Sequence, residues 1–242
     1  MLTNLFVRCT NVKQMNEKNR VALTSDLIVD AALTYADRHG LDSLTMRKLA
    51  VELGTAPMTM YYHVPSKEHL VDMMVERVYD EIDPPPSDSD WKSAIRKRYV
   101  SARSVLNHHP WAPPLMESRN QPGPASLRHH DAVIGCFRRA GFSLQLTAHA
   151  YAVLDSFLYG FAFEEATLPG DTQEAYQPIV EQIARQMESD GLNHLAEFTR
   201  DHVLKPDYRF GSSFEFGLDL ILDGLERALE AAPSRNGDGG AA

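Results

Sequence analysis

The sequence predicts an all-α protein: an N-terminal three-helix unit containing a helix-turn-helix, followed by a larger α-helical unit. Three observations predict it. Almost every segment between residues 21 and 231 carries apolar residues at three- and four-residue spacing, strand-like alternation is missing, and the breaks fall at Gly or Pro clusters. Residues 1–20 are polar and aperiodic, and residues 232–242 are small, polar and glycine-rich, so both are expected to be disordered tails. Residues 21–83 form the first domain, with 66–82 as its linking helix, and residues 90–231 the second.

The elements follow in order. Leu27, Ile28, Ala31, Ala32 and Tyr35 share one face of a helix from Ser25 to His39, capped by Thr24 or Ser25 and stopped by Gly40. A second helix begins after Thr45, with Met46, Leu49, Ala50 and Leu53 on one stripe, and ends at Gly54. A short third helix runs from Ala56 to His63. Pro57 opens it in a first turn that needs no amide, and Pro65 ends it by pushing Val64 out of the helical region. Ser66 caps a fourth, striped with Leu70, Met73, Met74 and Val78, which stops at the prolines of DPPPSDSD, 83–90. Beyond them come a helix from Trp91 to about Asn107, a Pro-rich connection around 110–114, and a helix from about Ala125 to Ala140. A long apolar helix from Ser143 to about Glu165, a partly helical region through 172–205 and a last helix from about Ser212 to Ala231 complete the chain.

Composition excludes several classes. No run approaches the roughly 18 to 20 apolar residues of a membrane span, and the first twenty residues lack a signal-peptide pattern, so no membrane partner is expected and the protein is placed in the cytoplasm. Cys9 and Cys136 have no CxxC spacing and indicate neither a disulfide framework nor a zinc site. The net charge of −9 is unevenly spread: residues 1–67 carry eight Lys/Arg against six acids, +2, which leaves −11 for the remainder. A DNA partner would therefore be held by a few placed cations near the N-terminus, doubled by dimerisation.

The segment LTMRKLAVELGTAPMTMYYHV (44–64) has the layout of a helix-turn-helix: Gly54 makes the turn and Ala50 permits close approach. Pro57, Met58, Thr59, Tyr61, Tyr62 and His63 are the outward candidates on its second helix, suited to thymine methyls and phosphate. Thr45, Arg47 and Lys67 flank it as phosphate or base-edge donors, Lys67 at a helix N-terminus. The spacing alone also fits a helical hairpin inside an α-helical enzyme.

From Leu23 to Glu81, centred on GLDSLTMRKLAVELGTAPMTMYYHVPSKEHLVD, the chain resembles the DNA-binding domain of the TetR family of transcriptional regulators. SDWKSAIRKRY, RRAGFSLQLTAHAYAVLDSFLYGFAFEE and FEFGLDLILDGLERAL resemble the regulatory domain of that family's tetracycline repressors. The resemblance covers most of residues 23–230. It implies a ligand-binding and dimerisation domain after the helix-turn-helix, and a repressor that binds a near-palindromic double-stranded operator as a homodimer until a small-molecule inducer releases it. A ligand-independent or activating regulator is the alternative, and an α-helical enzyme or sequestering protein a further one.

In the long helix Ala148, Ala152, Ser156 and Gly160 fall four apart, a ridge of small side chains that lets another helix approach. Gly217 and Gly224, beside Phe214, Leu218, Ile221 and Leu225, repeat the device in the last helix. The resemblance assigns both helices to a four-helix dimer interface, with Ala152, Ser156, Gly160, Gly217, Ile221 and Gly224 at the contact; the lesser alternative is that both form the core of one subunit.

Two histidine pairs, His108/His109 and His129/His130, invite a metal or catalytic role, but adjacent helical positions point about 100° apart and no HExxH pattern occurs. Glu164 and Glu165 diverge in the same way, with no nucleophile beside them, so no enzyme, metal or cofactor is expected. Where tetracycline repressors hold magnesium with a histidine, the resemblance places Leu115, which cannot ligate; Glu164 matches their acidic residue. The same alignment lines the inducer cavity with Leu115, Val133, Phe137, Tyr151, Asp155 and Glu164, which implies a largely hydrophobic or aromatic inducer bound without metal.

Overall fold

A computed structural model describes residues 22–118, 122–167 and 173–231; the two expected tails lie outside the described residues. Among the described residues there are helices and no strand, which is the all-α class the periodicity predicts. The contacts divide the chain into two units, one ending at Met74 and the other beginning at Val75. That division falls inside a helix rather than at the prolines of 83–90, because Val75, Val78 and Tyr79 in its second half are as buried as Leu70 and Met74 in its first.

The first unit holds α1 (Ser25–His39), α2 (Met46–Glu52), α3 (Pro57–Tyr61) and the start of α4 (Lys67–Glu81). Caps set their ends. Thr24 Oγ1 accepts from Leu27 N, Thr45 Oγ1 from Lys48 N, and Ser66 Oγ from His69 N, so each hydroxyl satisfies an amide the first helical turn leaves free. At the end of α2, Thr55 N donates to Ala50 O and Gly54 N to Val51 O, with Gly54 at φ +61°: a Schellman turn that only a residue without Cβ adopts freely. Gly40 also has positive φ, but its ψ of 149° lies outside the left-handed helical well in which a helix-ending glycine commonly sits. The α3 helix is shorter than the predicted 56–63 because His63 N and Val64 N both turn back on Met60 O ahead of Pro65. Ile28, Ala32, Leu44, Leu49, Ala50, Met60 and Leu70 make its fully buried core.

The second unit contains α5 (Trp91–His108), α6 (Pro113–Ser118), α7 (Pro124–Arg139), α8 (Leu144–Thr167), α9 (Gln173–Ser189), α10 (Asn193–Phe198) and α11 (Ser213–Glu230). The α5 helix packs on α7, α8 and α11, and α8 in turn on α7 and α11. Ion pairs run down one side of α5: Lys92 reaches Asp223 at 2.7 Å and Glu226 at 2.6 Å, Arg96 reaches Glu215 at 2.6 Å and Asp219 at 2.8 Å, and Arg103 forks onto Glu165 of α8. The acids on α11 recur at turn spacing, so Lys92 and Arg96 each bridge a pair of them, while Arg103 takes both oxygens of one carboxylate. Gly123 offers no side-chain cap to α7; Glu76 of α4 supplies one from outside, its carboxylate accepting from Ala125 N at 2.6 Å.

Candidate functional site

Two regions gather the candidate side chains, one in each unit. In the first, Met60 is fully buried and anchors α3 to the core, while its neighbours on the same short helix point away. Met58 is 69% exposed, Tyr62 85% and Tyr61 44%, and Pro57, Thr59 and His63 are exposed as well. Three large apolar or aromatic side chains in water on a five-residue helix and the residue that follows it are costly unless something covers them. Thr45 and Arg47 are exposed beside them, and Lys67 is half-buried at the start of α4. The Thr45 oxygen accepts the α2 cap bond, yet its hydroxyl proton stays available for a further acceptor.

The α8 helix of the second unit is apolar on two opposite faces. Ala150, Leu154, Leu158 and Ala162 are buried within the subunit, and Ala148, Ala152, Ser156 and Gly160 are exposed; the two rows are offset by two residues, about 200° around the helix. Val153 and Phe163 flank the exposed row. On α11 the buried row is Phe214, Leu218, Leu222 and Leu225, with Phe216 (68% exposed) and Leu220 (57%) outside it. Ile221 and Gly224 are half-buried at the edge, and Gly224 has open space around it. Gly217 faces inward, against the ring of Phe157 in the same subunit. Phe216 and Leu220 escaped the sequence reading, although their four-residue spacing carried the signal.

The interior between α5, α7 and α8 is lined by polar groups. Val133 and Phe137 are fully buried, Leu115, Tyr151 and Asp155 half-buried, and Glu164 exposed. Tyr99 donates from its hydroxyl to Asp155 Oδ1 at 2.7 Å, Tyr151 hydrogen-bonds His130 Nδ1, and Ser126 Oγ lies 3.2 Å from His130 Nε2. Burial, with the charge of Asp155, drives the phenols of Tyr99, Tyr151 and Tyr159 well above their ordinary range, so all three stay neutral. Arg98 of α5 lies at the centre, 1% exposed, and Nη2 donates to His129 Nε2. Burial and then the charge of Arg98 push His129 down to about 3, so its ring is a neutral acceptor. Arg98 was missed in the sequence. It stands in the cationic run 96–98, yet it shares the buried stripe of Ala94, Ile95, Tyr99 and Ala102, and that periodicity was the available signal.

A helix-turn-helix whose second helix exposes its side chains, joined to a larger helical unit with a polar-lined interior, defines a transcriptional regulator with a ligand-binding domain. The chain belongs to the TetR family: residues 28–74 match the bacterial regulatory proteins of the tetR family, and residues 83–229 the tetracyclin repressor-like, C-terminal domain. The HTH-type transcriptional repressor DrrR1 of Streptomyces coeruleorubidus is 31% identical over 228 residues, covering 87% of this chain and 82% of that protein. Tetracycline repressor protein class E of Escherichia coli is 30% identical over 212 residues, covering 86% and 93%. The TetR family protein ActR of Streptomyces coelicolor, solved in complex with actinorhodin, superimposes with a TM-score of 0.70 at 25% identity over 86% of this chain and 99% of that one. No described helix is long and apolar enough to cross a membrane.

Proposed function

We propose that this protein is a repressor that binds a near-palindromic operator as a homodimer and is released by a small-molecule inducer. The observation that carries the reading is the contrast on α3 between buried Met60 and exposed Met58, Tyr61 and Tyr62, since a helix pinned by one side chain holds the others at fixed angles for a major groove. Pro57, Met58, Thr59, Tyr61, Tyr62 and His63 meet base edges and phosphates, and Thr45, Arg47 and Lys67 fix the register from either side. One such short helix reads too few base pairs for specificity, so two copies are needed, and the exposed rows of α8 and α11, with Ala152, Ser156, Gly160, Ile221 and Gly224, are the surface that joins them.

The inducer enters the α5–α7–α8 interior, against Leu115, Val133, Phe137, Tyr151 and Asp155. It is a largely aromatic molecule taken without metal, of the general kind that ActR holds as actinorhodin. Release follows from differential affinity: the inducer favours a dimer whose two recognition helices no longer match successive major grooves, about 34–36 Å apart. The test is a mobility shift on the DNA flanking the protein's own coding sequence. Retardation at sub-micromolar protein, with sedimentation as a dimer, is expected; no retardation at micromolar protein in low salt overturns the reading.

A further inference from the structure

We infer that the inducer is an acid, and that its anionic group is held by Arg98; this deepens the inducer reading above and rests on the interior being the inducer's site. The observation is an unanswered charge. Arg98 is 1% exposed, and its Nε and Nη1 have no hydrogen-bond partner among the described residues. Its single partner, on Nη2, is His129, a neutral ring that accepts a hydrogen bond but offers no counter-charge. Asp155 takes its hydrogen bond from Tyr99 instead. The Tyr99 ring lies 4.2 Å beneath the guanidinium, which stabilises the cation without using its N–H donors.

A buried guanidinium with most of its donors idle is expensive, because water's hydrogen bonds have been removed and not replaced. Elsewhere in the same unit buried or half-buried arginines are answered: Arg103 forks onto Glu165. The exception lies where Tyr79, Tyr99, Tyr151 and Tyr159, all half-buried or buried, supply aromatic walls. A flat aromatic acid would answer both features, its rings against the phenols and its carboxylate or acidic enol oxygens on Nε and Nη1, the geometry for which a guanidinium is built, once the side chains that close these two atoms to solvent move aside to admit it. A neutral molecule of the same shape would leave the charge buried and unpaired.

The probes are anthraquinone-2-carboxylate and its primary amide, equal in shape and different in charge, titrated calorimetrically into the full-length wild type and into Arg98→Met. The acid is expected to bind the wild type at least tenfold more tightly than the amide, and Arg98→Met to erase the difference. Free of ligand, Arg98→Met is expected to melt higher than the wild type, since methionine fills the space without a stranded charge. Equal affinity for acid and amide, no saturable binding of the acid by the wild type, or a lower Tm for Arg98→Met overturns the inference. Operator retardation is read separately: a wild type that binds the acid yet retards no DNA defeats the repressor reading and leaves this one standing.

Discussion

Gly217 of α11 lies against the ring of Phe157 of α8: a Cβ built at 217 would stand 2.7 Å from Phe157 Cζ. The ring has nowhere to retreat, because it stacks on Phe214 with centroids 5.2 Å apart and contacts Phe161. Gly217→Ala is therefore expected to cost about 1–3 kcal/mol by overpacking, read as a lower Tm in a subunit that keeps its helical content. A Tm unchanged from wild type would mean that the two helices do not approach as closely as this.

The other small residues of these helices behave differently. Gly160 has nothing within 4 Å of its would-be Cβ, and Gly224 only the end of Arg227 at 4.0 Å. Leucine at either position is compatible with one subunit and obstructs a second. If the proposed dimer forms through these helices, Gly160→Leu and Gly224→Leu are expected to sediment as folded monomers under conditions in which the wild type sediments as a dimer, with operator affinity lost in proportion. Dimers of unchanged stability from both variants would place the interface elsewhere.

Why Gly217 and Gly160 could not be told apart in the sequence is a matter of what spacing encodes. Periodicity gives a residue's angle on its own helix, not which neighbour fills the space opposite. Punctuation, by contrast, is local, so Gly54, Pro57 and Pro65, with the hydroxyl caps, made the helix-turn-helix legible to within two residues. Pro113 and Pro114 follow the same rule: they open α6 in a first turn that needs no amide, where their proline density alone suggests a connection. The polar interior was the least legible part, because Arg98 and His129 come from different helices and meet only on folding.

On α3, substitution separates binding from folding. Tyr61→Ala and Tyr62→Ala remove exposed rings, and Arg47→Ala an exposed cation, so the Tm should hold while operator affinity falls by about 1–3 kcal/mol each. Lys67→Ala should lower affinity for all sequences alike and reduce its salt dependence, as loss of a phosphate contact does. Met60→Ala should instead cost about 2–5 kcal/mol of stability, since Met60 is fully buried. Affinity within about threefold of wild type for both tyrosine variants at fixed salt would remove α3 from the recognition surface.

Glu76 tests a cap that no local pattern reveals. Its carboxylate closes the open N-terminus of α7 through Ala125 N, and a charged acceptor there is favoured by the helix dipole as well as by the hydrogen bond. Glu76→Ala is expected to cost about 1–2 kcal/mol, with faster amide exchange in the first turn of α7. Glu76→Gln, which keeps an acceptor and loses the charge, should fall between. Exchange in that turn unaltered by either change would show the cap to be idle.

Acid should weaken the fold through His129. Burial, then Arg98 and His130, holds its folded pKa at about 3 against an ordinary 6.5, so the ring is neutral in the native state at any pH above that range. The unfolded chain takes up a proton near pH 6.5 that the folded one refuses. Stability is therefore undiminished above about pH 6.5 and falls as the pH drops toward 3, by about 1.4 kcal/mol per unit for one such group. His130 is shifted downward by burial too and adds in the same sense, so the informative quantity is a difference between two proteins. His129→Gln retains an acceptor for Arg98 and removes the titration; urea denaturation between pH 7 and pH 5 should give it a shallower loss than the wild type, by close to one proton. Parallel pH profiles for the two would mean that His129 is protonated in the folded protein, and that Arg98 therefore finds its acceptor elsewhere.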